Sequence, residues 1–302
     1  DFEILGSSKM RRRPPIELTI DTGFPCRHHE INTWSLESCL ERDFEILGTL
    51  GRGRVGVVRH ACRRSDGLQV ALKMVPSTKS ELVEMEYALL KYLDHPNIVK
   101  CYDCISLERM DCQVLVFECF AGKTLQKLSS KLHQRHEACS CRVFLALLSA
   151  VAYLHERNII HRDIKADNVL VSQDFSDMRL IDFNTSRHLE EGETPLTMTG
   201  TYTWSAPEVL LGECPGKPND VWGMGLCLHL MLFGELPWSQ EDLDLNGHIG
   251  EVLSYVNGLK QGRFQAPSNA CLVTLQFCLE ADSTIRVQAH SLLRHNPFNE
   301  CC

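Results

Sequence analysis

An apolar run long enough to cross a bilayer is not expected in this sequence. The two longest apolar runs, 143–154 and 221–234, fall short of the roughly 20 residues a spanning helix needs. The second also carries His229, so both are expected to be buried helices and no membrane partner is expected. A cationic surplus is missing too: 31 Lys and Arg stand against 39 Asp and Glu, a formal charge of -8. Phosphate backbones are held by clustered cations, which argues against nucleic acid as a partner. The one compact basic run, 9–13, reads as a solvated arm, with a docking or targeting patch as the alternative. Cysteine is plentiful at 15, but the count is odd, the positions are scattered and no secretory signal pattern precedes them. Reduced thiols in an intracellular, cytoplasmic compartment are therefore expected. Cys101 and Cys104 have metal-ligand spacing, but no second pair stands at zinc-site distance. Nothing in the composition speaks to oligomeric state.

Residues 1–42 show little periodicity and carry Pro14, Pro15, Gly23 and Pro25, so a flexible extension is expected there. The chain begins at Asp1 rather than Met, as a fragment would. "DFEILG" occurs at 1–6 and again at 43–48, an echo too short for a structural repeat. From 43 to 75, apolar and polar residues alternate with glycine punctuation, which predicts three antiparallel strands, the last two joined near Asp66 and Gly67. Residues 80–93 predict a helix with Leu82, Met85, Leu89, Leu90 and Leu93 on its apolar face. Strands are expected near 98–105 and 113–117, and helices after Leu125, most strongly at 143–157 and 220–233. The implied fold is α+β: a small strand-rich lobe followed by a larger helical one.

Several short motifs carry chemistry. "GRGRVG", Gly51 to Gly56, lies between two predicted strands, the setting of a hairpin whose amides cover phosphates; a dinucleotide fingerprint would need a following helix. An ordinary glycine turn would look the same in isolation. Lys73, in "VALK" on the next strand, strengthens the phosphate reading, because an ammonium under that loop can reach α- and β-phosphates. Downstream come "HRDIKADN" (161–168), "IDFN" (181–184) and "GTYTWSAPE" (200–208), in that order.

Together these stretches resemble the eukaryotic protein kinase superfamily, serine/threonine type, over residues 43 to about 298. The resemblance implies a two-lobed kinase domain at 43–298, divided at 118/119, with a short tail at 299–302. It implies transfer of the γ-phosphate of ATP to Ser or Thr of a protein substrate, with ATP and Mg2+ as cofactors. Asp163 would accept or orient the substrate hydroxyl, Lys165 would stabilise the transferred phosphoryl group, and Asn168 and Asp182 would hold magnesium. Lys73 would pair with Glu86, with Glu84 as the fallback. The nucleotide would be lined by Leu50, Gly51, Arg52, Gly53, Gly56, Val58, Ala71, Phe117, Leu170 and the hinge from Glu118 through Cys119 to Phe120; plain core packing accounts for the apolar ones equally well. Glu208 would pair with Arg286, and Asp220 would tie its helix to the catalytic loop's backbone.

Arg162, beside Asp163, implies an activation loop ordered by phosphorylation, with Thr197 preferred over Thr194 and Thr199. The acidic run 190–193 could instead order the loop unaided. Thr201 would contact Asp163 and Lys165. Asp167 hints at an Arg near the acceptor site, while Thr124 stands where many such kinases carry an acid, so substrate preference stays open. "DLDLNGHIGEVL" (242–253) matches the start of an EF-hand, yet Leu253 replaces the required bidentate Glu and Pro237 breaks the entering helix; the stretch resembles a calcium-regulated group without completing its element. A pseudokinase scaffold is the rival reading, opposed by the presence of Lys73, Asp163 and Asp182. A small-molecule kinase is opposed by the peptide-positioning segment 200–208. Asn184 stands where Gly usually follows Asp-Phe; Asn tolerates left-handed geometry, so a modest effect on switching is expected rather than a lost site.

Overall fold

The computed structural model describes residues 20–21, 40–53, 55–107, 111–189, 202–238, 245–295 and 298. Strands Phe44–Arg52, Val57–Arg63 and Gln69–Pro76 form an antiparallel meander, continued by Cys112–Glu118 and then the edge strand Cys101–Leu107. Period-two alternation divides this sheet. Val70, Leu72 and Met74 join Phe44, Ala61, Val114 and Val116 in a small outer core, whereas Val75, Leu115 and Phe117 face the helix Ser80–Leu90 and the larger core. Gly67, at φ 73°, makes the turn between the second and third strands. On the opposite edge Ile20–Asp21 pairs in parallel with Gly51 and Arg52. Two residues of the expected flexible extension therefore take a place in the sheet, where an edge strand offers unpaired N–H and C=O groups.

The helix Ser80–Leu90 departs from its predicted face. Val83, Glu86 and Leu90 are buried, while Met85 is 45% exposed. The buried stripe runs through Val83, Glu86 and Leu90, where the ion pair of Glu86, described below, admits a charge to the interior and leaves Met85 on the outer side. Ile98 forms only an isolated bridge to Leu180, and its strand begins at Cys101.

The helical lobe is built on Glu137–Glu156, packed against Lys217–Phe233, Leu125–His133 and Ala289–His295. At 20 residues it is longer than the apolar run that predicts it, and by length and composition it could cross a bilayer. Its apolar side chains are spent instead on the core: Val143, Phe144, Leu147, Leu148, Val151 and Leu154 are at most 2% exposed, each worth roughly 1.5–3 kcal/mol when buried. In Lys217–Phe233, Gly223 is required by close approach, since a β-carbon there would lie 2.5 Å from the Ile164 carbonyl oxygen.

Arg286 locks the base of this lobe. Its guanidinium bonds both Glu208 carboxylate oxygens, at 2.6 and 2.8 Å, donates to the carbonyls of Glu280, Ala281 and Pro218, and stacks on Trp222. Both partners are buried. Arg286→Ala leaves the Glu208 carboxylate without its partner and should lower unfolding free energy by about 3–5 kcal/mol in urea titration; a loss below about 1 kcal/mol would contradict a buried, obligatory pair.

Candidate active site

The glycine loop is a hairpin between Phe44–Arg52 and Val57–Arg63, closed by the Gly53 N–H donating to the Gly56 carbonyl at 2.9 Å. Gly56 has no substitute here: a β-carbon would overlap the Met74 carbonyl. One strand over, alternation directs Lys73 away from the outer core and opposite Val58. Its ammonium lies 2.9 and 2.8 Å from the two Glu86 oxygens and 2.9 Å from Asp182 Oδ1. Glu84, the alternative partner, is exposed. The Phe183 backbone N–H also donates to Glu86. Burial alone would favour a neutral Lys73, but the Asp182 and Glu86 carboxylates outweigh it and raise the ammonium above the ordinary lysine range. Burial pushes the Glu86 carboxyl up, partly offset by Lys73. Asp182 is also penalised by burial, yet Lys73 holds it below its usual value.

The loop 161–168 presents a second cluster. Asp163 Oδ2 takes the Lys165 ammonium at 2.8 Å and the Asn168 amide at 2.9 Å, and the same amide reaches the Asp163 carbonyl at 2.8 Å. The loop is fixed from beneath by Asp220, which accepts the His161 N–H at 2.9 Å, the Arg162 N–H at 2.8 Å and His155 Nε2 at 3.0 Å. His161 is fully buried, meets the Ile181 carbonyl at 3.1 Å and packs edge-on against Phe183. Burial lowers its pKa, so the ring is neutral at physiological pH. Arg162 and Asp182 hold left-handed backbones, at φ 70° and 63°, which a non-glycine residue adopts only where its surroundings impose them. Asn184 is not among the residues with positive φ; it sits in a turn closed by the Ser186 N–H on the Phe183 carbonyl. Asn184 makes no use of the left-handed geometry that asparagine tolerates; that geometry falls two residues earlier, on Asp182.

Of the nucleotide-lining candidates, Leu50, Phe117 and Leu170 are buried, Val58 and Ala71 partly so, and Arg52 is exposed. Ala71 and Phe117 are direct cross-strand neighbours, as are Gly51 and Val58. At the hinge, the Glu118 N–H bonds the Lys100 carbonyl, and its side chain accepts from the Lys100 N–H at 2.9 Å and from Arg179 at 3.1 Å. Arg179 also covers the Phe120 ring, and the Phe120 carbonyl accepts from Gly122. Thr124 caps the helix Leu125–His133, its hydroxyl accepting from the Lys127 N–H.

Two clusters of paired charges, Lys73 with Glu86 and Asp182, and Asp163 with Lys165 and Asn168, together with a glycine hairpin, form an arrangement suited to hold and transfer phosphate. Residues 44–298 match the protein kinase domain family. This chain belongs to that family. Its relatives include sperm motility kinase 1 of Mus musculus, 34% identical over 204 residues, 67% of this chain and 42% of the relative. The serine/threonine-protein kinase SIK1 of Mus musculus is 31% identical over 263 residues, 83% of this chain and 32% of the relative. A carbon catabolite-derepressing protein kinase of Candida tropicalis is 36% identical over 205 residues, 66% and 32% of the two chains. The chain therefore spans well under half the length of these relatives. The SIK1 relative is named a serine/threonine-protein kinase, and the protein kinase family generally uses ATP and Mg2+.

Three features of this kinase lie beyond what its motifs convey. His155 shares Asp220 with the catalytic loop, a pairing 65 residues apart with no local signal. The Arg179 tie to Glu118 spans 61 residues. Arg162 is buried with its Nη2 unpartnered among the described residues; burial, then the nearby Arg187, lowers its pKa. Thr194, Thr197, Thr199 and Thr201, with the acidic run 190–193, lie outside the described residues. So do Asp242 and Asp244 of the EF-hand match, while Asn246, Gly247, Ile249 and Leu253 fall in the helix Leu245–Lys260, where no calcium loop can turn.

Asp220 is penalised by burial but held below its ordinary 3.8 by hydrogen bonds and by His155 and His161. A carboxyl with a depressed folded-state pKa gives its full stabilisation above the unfolded value and loses it as pH falls through the folded one. Asp220→Asn should therefore unfold more easily at neutral pH, by about 1–3 kcal/mol, and lose less stability than wild type between pH 5 and pH 3 in urea titrations. Parallel pH profiles for the two proteins would refute this.

Proposed function

We propose that this domain transfers the γ-phosphate of ATP to Ser and Thr hydroxyls of protein substrates. The observation that best supports the reading is the paired geometry: Lys73 bridging Glu86 and Asp182 at 2.8–2.9 Å, with Asp163 held by Lys165 and Asn168. Lys73, fixed by two carboxylates, has one position from which to meet α- and β-phosphates under the glycine hairpin. Both bonds to the Asp163 carboxylate fall on Oδ2, so Oδ1 is assigned to the acceptor hydroxyl, whose proton it takes or orients. Lys165 sits beside that hydroxyl and offsets charge on the phosphoryl group in flight. Leu50, Val58, Ala71 and Leu170 enclose the adenine and exclude water, with Phe117 at the back and the hinge 118–120 along its edge. Asp182 and Asn168 supply a carboxylate and an amide oxygen, hard donors that suit magnesium. When bound, that ion neutralises phosphate charge.

The deciding assay is magnesium-dependent transfer from labelled ATP to a mixed Ser/Thr peptide array, with Asp163→Asn as control. Wild type should exceed the control by about 10²–10⁴-fold, the usual contribution of a positioned acid or base. Transfer no higher than the control would leave a nucleotide-binding scaffold as the better reading.

Activity is further proposed to rise on phosphorylation of Thr197. Two adjacent guanidiniums, Arg162 and Arg187, with one Arg162 nitrogen unpaired among the described residues, call for an anion. After phosphatase treatment and re-incubation with ATP, wild type should recover activity and Thr197→Ala should not. Equal recovery in both would remove Thr197 from this role.

A further inference from the structure

A cluster unrelated to the nucleotide cleft joins two helices of the helical lobe. Glu137 and Cys141 stand four residues apart, on one face of Glu137–Glu156. Cys271 faces them from Asn269–Cys278, and the three donor atoms lie within 4.8 Å of one another. Cys271 Sγ donates to Glu137 Oε1 at 2.8 Å, and the two sulfurs are 4.0 Å apart. Ser268, which caps the second helix, donates to the same carboxylate oxygen. Both cysteines are completely buried and both are free thiols, while Glu137 is partly exposed and gives a way in from solvent.

The spacing discriminates between uses of such a pair. A disulfide would need the sulfurs about 2 Å apart. Two thiolates on one tetrahedral zinc, each about 2.3 Å from the ion, stand about 3.8 Å apart, close to the 4.0 Å found here. Two thiolates select a soft or borderline ion, and the added carboxylate favours zinc over copper(I). Two hydrogen-bond donors already converge on one carboxylate oxygen; zinc would displace the thiol proton, and the 2.8 Å between Cys271 Sγ and Glu137 Oε1 would open to about 3.5 Å to seat it.

We propose that Glu137, Cys141 and Cys271 bind one zinc ion, with water or the Ser268 hydroxyl in the fourth position, stapling the helix Glu137–Glu156 to Asn269–Cys278. Binding converts both thiols to thiolates and releases their two protons to solvent. The site stands independently of the kinase reading, because its readout is metal content.

The test uses the full chain, reduced and freed of metal by chelation, then titrated with zinc or cobalt(II). Wild type should bind one zinc by native mass spectrometry, melt at higher temperature with zinc than without, and with cobalt(II) show thiolate charge-transfer absorption. Cys141→Ala and Cys271→Ala should each abolish all three signals, whereas Cys101→Ala should abolish none. Glu137→Gln, which keeps the shape of the site, should retain the charge-transfer band and bind zinc at least about 10-fold more weakly, the scale of loss seen even for groups one step removed from a metal. This variant keeps the test decisive if a cysteine variant fails to fold. The proposal is overturned if wild type binds no zinc, if cobalt(II) gives no thiolate band, if zinc affinity is the same in Glu137→Gln, or if stoichiometry follows Cys101 instead.

Discussion

A single buried carboxylate sets the frame in which the loop 161–168 can exist. Asp220 is fully enclosed, and an enclosed charge is strongly disfavoured unless its lone pairs are filled. Two of its three donors are consecutive backbone N–H groups, those of His161 and Arg162. Holding both at once fixes the peptide between them, and with it the left-handed turn at Arg162 that leads into Asp163. The carboxylate can come this close only because its helix carries glycine at 223, where the Ile164 carbonyl fills the space of a side chain. Sequence, packing and chemistry meet there: a missing methyl group admits the loop and a buried charge orients it.

The opposite wall of the cleft is organised by charge imbalance. Lys73 is one ammonium between two carboxylates, so the trio carries a net charge of -1 in a poorly solvated place. Burial raises Glu86 and the ammonium cannot satisfy both acids fully. Such a trio is electrostatically unfinished, and the side on which it is unfinished is Asp182, which at 34% side-chain exposure is the partner open to solvent. Glu86, at 2%, serves only to fix the ammonium. Burial thus assigns different work to two chemically similar acids.

What the sequence conveys follows the range of each interaction. The strands of the small lobe are legible because alternation is local, and the same alternation puts Lys73 on the cleft side. The face of Ser80–Leu90 is not, because Glu86 becomes a core residue only through a lysine 13 positions away. His155 and Arg179 are hidden for the same reason, with partners 65 and 61 residues distant. The EF-hand match, already opposed by Leu253 and Pro237, is a local pattern of Asp, Asn and Gly overlapping a segment whose helical packing buries His248, Val252 and Val256. Short-range pattern competes with tertiary burial, and burial prevails.

Asn184 shows how far one substitution can be read. At its observed position the residue sits in a turn without positive φ, so its β-carbon meets no intrinsic backbone penalty, and the strained geometry belongs to Asp182, which precedes Phe183. Glycine at 184 would add conformers to every alternative arrangement of the segment, including those in which Phe183 leaves His161. A β-carbon removes many of them, an effect of about 0.4–1 kcal/mol where the native backbone is unstrained. Asn therefore weights the segment toward the arrangement in which Phe183 is buried and Asp182 reaches Lys73. The residue that looks like a defect in the motif is, by its backbone, a restraint on how often the motif comes apart.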